Sequence, residues 1–258
     1  MRPRTLLLPG ATALALWAGG CGDDDDSGDS GEGGNELTVS AAASLTDAFP
    51  EYGETIDGEE RFSFAGSDEL AAQIRQGATP DLFASANTTY PGELYDEGLV
   101  EEPVVFTRNQ LVIAVPADSD LESIDELTEP DLDVVIGARG VPVGDYAREV
   151  LAGLPQTDSA AILDNVRSEE SDVKGIVGKL TQGAADAGFV YESDVAAGGD
   201  ALRAIELPSD LEPEVSYGIA VVSDAANPDG AQVFIDGLLE PEGQQILEDN
   251  GFLPAQPG

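Results

Sequence analysis

The chain has 258 residues, 51 of them Asp or Glu against 11 Lys or Arg, with one Cys, no His and a net charge of −40. So acidic a surface repels nucleic acid and anionic lipid, and the missing histidines exclude Ser-His-Asp triads, Cys-His pairs and His-ligated metals. A single cysteine allows no internal disulfide and no Cys cluster, and 41% apolar residues are enough for one large domain or two lobes with a full core.

Residues 1–20 carry no acid. Arg2 and Arg4, the apolar stretch of residues 6–18 broken at Pro9 and Gly10, and the small residues Ala18-Gly19-Gly20 read as a secretory signal. The stretch is too short and too broken for a stable membrane-spanning helix. Cys21 follows at the position of a bacterial lipobox, with Ala18 where Leu is usual. Two readings stand for it: a lipid-modified first residue of the mature chain, or a leftover thiol. The run Gly22-Asp23-Asp24-Asp25-Asp26 that follows cannot enter a core, which argues against a buried structural cysteine. Loss of Arg2 and Arg4 with the signal takes the net charge from −40 to −42. Residues 21–35 then form the lipidated cysteine and a flexible, self-repelling acidic tether. The expected place is extracytoplasmic, either anchored to the outer face of the cell membrane through that lipid alone or periplasmic. Only Lys174 and Lys179 are lysines, and this acid-rich, lysine-poor balance suggests a salt-rich habitat.

Beyond Asn35, strands and helices alternate. Residues 36–42 read as a strand, and 44–52 as a helix capped by Ser44 with Asp47 completing a weak capping box. A strand at 61–65 leads into a helix at 67–76 that stops at Gly77. A strand at 81–86 precedes a helix near 90–97, and 110–115 is an almost wholly apolar strand. Residues 133–137 read as a strand, 143–154 and 172–182 as helices, and 187–191 and 216–222 as strands. Helices at 230–239 and 241–249 close the chain, the second stopped by Asn250-Gly251. This alternation argues for doubly wound, mainly parallel sheets. No repeat of fixed period is visible.

Four strand-to-helix junctions run through small residues: 41–47, 64–70, 140–146 and 168–174. Helix N-termini at such junctions present unpaired N–H groups, and four together favour an anion site at the carboxyl ends of the strands. Taken singly, each serine there reads as an ordinary N-cap. Tyr191 alternates with Phe189 as a core tyrosine would, yet stands at a strand's carboxyl end, where a turn would lift its ring toward a cleft.

The segments AAASLTDAF (41–49), FAGSDELAAQIRQGATPDLFASA (64–86), RNQLVIAVP (108–116), VPVGDYAREVL (141–151), DVKGIVGKLTQGAADAGFVYESD (172–194) and QQILEDNGF (244–252) resemble, in order, the signatures of periplasmic molybdate-binding proteins. The resemblance implies a hinged, two-lobed type II periplasmic-binding-protein fold, with residues 36–115 plus 217–258 in one lobe and 116–216 in the other. It implies an oxyanion, molybdate or tungstate, captured without cofactor or metal cation by a monomer and delivered to the membrane permease of an ABC importer. The positions it assigns to the anion are Ser44, Ser67, Val143 and Val173 through their backbone N–H groups in the latter two cases, and the Tyr191 hydroxyl. Gly66 stands where the family commonly has Ser, Ala138-Arg139 where it often has Asp-Pro, and Lys174 where it often has Arg. Arg139 reads as a solvated loop charge or as a cation near the mouth.

Two other readings are weaker. Ser171-Asp172-Val173-Lys174 fits the Ser-x-x-Lys pattern of a Ser-Lys hydrolase, but no Lys-Thr-Gly accompanies it. Within the binding-protein class, sulfate or another small oxyanion is the alternative ligand.

Overall fold

The computed structural model describes residues 36–255. The signal, Cys21 and the tether lie outside them. The chain opens with β1 (Glu36–Ala42), a 3-10 turn (Ala43–Leu45), α1 (Ala48–Gly53), β2 (Glu59–Ala65), α2 (Ser67–Arg75), β3 (Leu82–Ser85), α3 (Thr89–Asp96) and β4 (Val104–Asn109). It continues through β5 (Leu111–Pro116), a 3-10 turn (Ile124–Thr128), β6 (Val134–Gly137), α4 (Pro142–Gly153), α5 (Gln156–Asp164), β7 (Val166–Glu170) and α6 (Val173–Thr181). Then come β8 (Ala187–Tyr191), α7 (Glu192–Gly198), β9 (Leu202–Ile205), β10 (Val215–Val221), α8 (Pro228–Leu239), α9 (Pro241–Asp249) and β11 (Leu253–Pro254).

These strands form two sheets, one of six strands in the order β11-β4-β10-β3-β1-β2 and one of five in the order β7-β6-β8-β5-β9. The fold is α/β and two-lobed, with a sheet at the centre of each lobe. The expected parallel winding holds in β2-β1-β3 and in β7-β6-β8, where helices make the crossovers. Beyond those triplets each sheet is antiparallel: β10 runs against β3 and β4, and β5 against β8 and β9. The chain exchanges lobes through these strands, and a strand arriving from the other lobe enters from the opposite end.

One boundary moves. Residues 110–115 read as the last strand of the first lobe, with a crossing near Pro116. The six-stranded sheet instead keeps β4, and β5 belongs to the five-stranded sheet, so the first crossing falls at Gln110. β4 and β5 follow one another without Gly or Pro to mark the break, which hid β4 in the sequence.

The four buried strands β3, β5, β6 and β8 are nearly continuous apolar runs, as strands covered on both faces must be. Edge strands β2 and β7 alternate exposed and half-buried residues. The main core runs through both sheets, and a satellite of Leu70, Ile74, Phe83, Leu94 and Val100 lies under α2 and α3. Phe234 of α8 fixes α1, meeting Tyr52 edge-on at 4.9 Å and Phe49 at 5.4 Å between ring centres. Among the described residues no helix is long and apolar enough to cross a membrane.

At the amino ends of the larger sheet's strands, buried Asp81 accepts hydrogen bonds from the Thr38 N–H (2.8 Å), the Thr38 hydroxyl (2.7 Å) and the Asn227 N–H (2.7 Å). Burial alone would raise its carboxyl, but these donors outweigh it and hold the group below its ordinary value. Asp81→Ala strands two backbone N–H groups and should cost about 3 kcal/mol in urea unfolding. Ligand affinity should stay within about twofold, because the length of β3, roughly 13 Å, separates this end of the sheet from the cleft.

Candidate functional site

The carboxyl ends of both parallel triplets face one cavity. Ala42 ends β1 and Ala43 and Ser44 follow it, Ala65 ends β2 and Gly66 and Ser67 follow it, and Ala86 follows β3; Val141 to Val143 follow β6, Asp172 and Val173 follow β7, and Tyr191 ends β8. All five positions singled out from the sequence, Ser44, Ser67, Val143, Val173 and Tyr191, therefore line the same space. The first two come from the larger sheet and the other three from the smaller.

The cavity gives the centre of a water-sized sphere about 20 Å³ in which to move. A sphere of that volume has a radius of roughly 1.7 Å, and adding the ~1.4 Å of the water itself gives roughly 3 Å. That is room on the scale of one small tetrahedral ion.

The local structure differs from simple capping. Ser44 lies inside the 3-10 turn and caps nothing; its Oγ is 2.9 Å from the Tyr217 hydroxyl. The break between this turn and α1 replaces the single helix read at 44–52, and Asp47 turns away to Lys174. The N-cap of α2 is Gly66, and Ser67 is its first helical residue. Fully buried, the Ser67 Oγ accepts from the Ala86 N–H at 3.1 Å, which leaves its own proton free for the cavity. Val143 and Val173 stand in the first turns of α4 and α6, where backbone N–H groups have no acceptor within the helix. The Asp172 carboxylate caps α6 through the Gly175 N–H at 2.9 Å.

Tyr191 is 1% exposed, and its hydroxyl stands beside that of Tyr217 but has no partner within 3.5 Å. Burial pushes its phenol well above 10, so it is a neutral donor. The expected turn after it is helix α7, which starts at Glu192 and carries Asp194, whose carboxylate accepts from the Tyr191 N–H at 3.3 Å.

No Lys or Arg lines the cavity. Lys174, one residue beyond Val173, reaches across the cleft to Asp47 at 3.0 Å and lies 3.5 Å from Asp194. Arg139 is exposed and contributes nothing to the lining. On the far side of the cleft the Tyr90 hydroxyl donates to the Gly140 carbonyl. Gly66 faces the Ser171 carbonyl so closely that a Cβ there would stand 2.4 Å from its oxygen. These contacts join the two lobes, and the cleft is closed.

Comparison with known proteins agrees with this geometry. Residues 37–253 match the family of bacterial extracellular solute-binding proteins. The chain belongs to that family. It is 34% identical over 229 residues to the molybdate-binding protein ModA of Mycobacterium tuberculosis H37Rv, covering 86% of this chain and 85% of the relative. The solved periplasmic molybdate-binding protein of Azotobacter vinelandii superposes with a TM-score of 0.77 at 20% identity, covering 85% of this chain and 100% of that one. The sulfate-binding protein SubI of M. tuberculosis H37Rv has the same fold, with a TM-score of 0.71 at 17% identity, covering 86% of this chain and 88% of that one. This solute-binding protein is therefore a binding component and not an enzyme, and the Ser171–Lys174 pattern is simply the entry to α6.

Two participants were not legible in advance: Tyr217 and Asn109, which stand behind Ser44. Gly66, noted as a departure from the family's usual Ser, matters for its missing side chain. The one sequence signal was the polar pair Asn109-Gln110 between two apolar strands.

Behind the cavity, burial pushes the Asp194 carboxyl up to about 6, against the opposing pull of Lys174 and the Tyr191 N–H. A carboxyl raised in the folded state favours folding below its unfolded value of 3.8, and that contribution is lost as pH rises through about 6. Asp194→Asn should therefore be more stable than the parent at pH 8, by on the order of 2–3 kcal/mol. The difference should vanish near pH 4 in urea unfolding followed across that range.

Proposed function

We propose that this protein captures molybdate or tungstate between its two lobes, one ion per chain and without cofactor or metal cation, and delivers it to the membrane permease of an ABC importer. The observation that carries the reading is a cavity of single-ion size where the two lobes meet, onto which neutral donors converge, one of them the Tyr191 hydroxyl; Asp172, the one acid in the lining, is engaged by the Gly175 N–H. Ser44 and Ser67 would donate through their hydroxyls, Val143 and Val173 through their backbone, and Tyr191 through its phenol. Helices α2, α4 and α6 begin at the cavity, and each N-terminus carries about half a positive charge, so together they offset most of a dianion. Neutral donors also avoid a buried lone cation, which would take many anions indiscriminately. Cavity size and donor count then set selectivity, since an ion too small for the space cannot meet every donor. The named ligands of the relatives support the same reading. Cys21 would be the lipid attachment of a monomer held at the outer face of the membrane.

Calorimetric titration with molybdate, tungstate, sulfate and phosphate tests the ligand directly. The expected result is 1:1 binding of molybdate or tungstate, with sulfate weaker. No heat from either metal oxyanion, beside clear heat from an organic solute, would overturn it. Ser67→Ala should weaken binding by about 1.5–3 kcal/mol, the range for a hydrogen bond to a charged group, while Val143→Ala should be nearly silent because the donor there is backbone.

Tyr191→Phe keeps the ring and removes the donor. Affinity should fall with folding intact, and small-angle scattering should show less compaction on adding molybdate than in the parent. Unchanged affinity with full compaction would return Tyr191 to a packing role alone.

A further inference from the structure

We infer that Tyr217 and Asn109 are positioning residues that fix the direction of the Ser44 hydroxyl proton, aiming it into the cavity. The inference rests on the oxyanion reading of that cavity and adds two residues outside its lining. The four side chains involved form a buried chain: Ser44 is 5% exposed, Tyr217 0%, Asn109 4% and Ser193 4%.

The proton order follows by elimination. The Asn109 Oδ1 accepts from the Gln110 N–H at 2.9 Å, which sets the orientation of the amide. Its Nδ2 therefore donates, to the Ser193 Oγ at 2.8 Å and to the Tyr217 Oη at 3.4 Å. Tyr217 thus receives a proton from Asn109 and keeps its own, since burial pushes its phenol well above 10. Two acceptors stand near that proton, the Tyr191 hydroxyl and the Ser44 Oγ, and only Ser44, at 2.9 Å, is at hydrogen-bond distance. Ser44 then accepts from Tyr217, and its single proton points the other way.

Without this relay the Ser44 hydroxyl is free to turn its proton back toward Tyr217 and present a lone pair to the anion. A serine beside a dianion is useful in one orientation and repulsive in the other. Asn109 sits at the end of β4, next to the crossing at Gln110, and its second donation reaches Ser193 of α7, beside Tyr191. The relay is therefore built where the two lobes meet, and lobe position and proton direction are set by the same amide.

The test is a double-mutant cycle on molybdate affinity, with Tyr217→Phe, Ser44→Ala and both together, each measured by calorimetry beside the melting temperature of the ligand-free protein. The expected result is a Kd raised about five- to tenfold by Tyr217→Phe alone and less than about twofold by the same change in the Ser44→Ala background. A loss that persists undiminished in that background overturns the relay, because Tyr217 would then act by packing. If Tyr217→Phe does not fold, Asn109→Ala takes its place in the cycle, with the same dependence on Ser44 expected and independence overturning the inference. A parent protein that takes up neither molybdate nor tungstate overturns the oxyanion reading itself, and the relay with it; binding by the parent separates the two failures.

Discussion

A hydrogen-bond donor buried without an acceptor is unfavourable by about 1–3 kcal/mol, and this fold gathers several at one point. The Tyr191 hydroxyl has no partner, the Ser67 proton is free, and the first turns of α4 and α6 point unpaired N–H groups the same way. A rigid protein would have no reason to keep such a cluster. Two hinged lobes tolerate it, because parting them lets water reach every donor. Closing over an empty space strands the donors, and closing over an anion satisfies them. Ligand and closure are thereby tied on the proposed reading, with no further device needed. The matching strand orders β2-β1-β3 and β7-β6-β8 bring six strand ends to that point, three from each sheet.

The electrostatics divide by distance. A chain of net charge −40 opposes an approaching anion, but salt screens that field beyond about 10 Å at 0.1 M and beyond about 3 Å at 1 M. In the cavity the donors act at contact range, at or inside the screening length even at high salt. Lys174, the nearest lysine, is held by Asp47 and Asp194 instead of facing the space. Its role in the structure is to span the cleft.

The sequence made the central strands plain and the edges obscure, for a physical reason. β3, β5, β6 and β8 are covered on both faces and are apolar throughout, so composition alone reveals them. β7, β9 and β11 are edges, and the charged stretch Val166–Glu170 looks like a loop until a neighbour pairs with it. The five positions picked out by resemblance line one cavity. Their bonding was not legible that way. Ser44 has the local pattern of an N-cap, yet its partner Tyr217 lies 173 residues away, and a tertiary contact displaced the local one. Tyr191 shows how two readings can share one residue: it is as buried as any core tyrosine and still ends in the cavity.

The place of β10 has a consequence for how the chain must come together. All five strands of the smaller sheet lie between Leu111 and Ile205, whereas β10 begins only at Val215 and sits between β3 and β4. Until that late segment arrives, the larger sheet is only β2-β1-β3, and β4 has no partner, because its other neighbour β11 comes later still. The second-made lobe is thus the first that can be completed, and the first-made lobe waits for the end of the chain. Shortening the protein before Val215 would remove β10 and β11 together, opening one side of β3 and leaving β4 with no partner strand on either side.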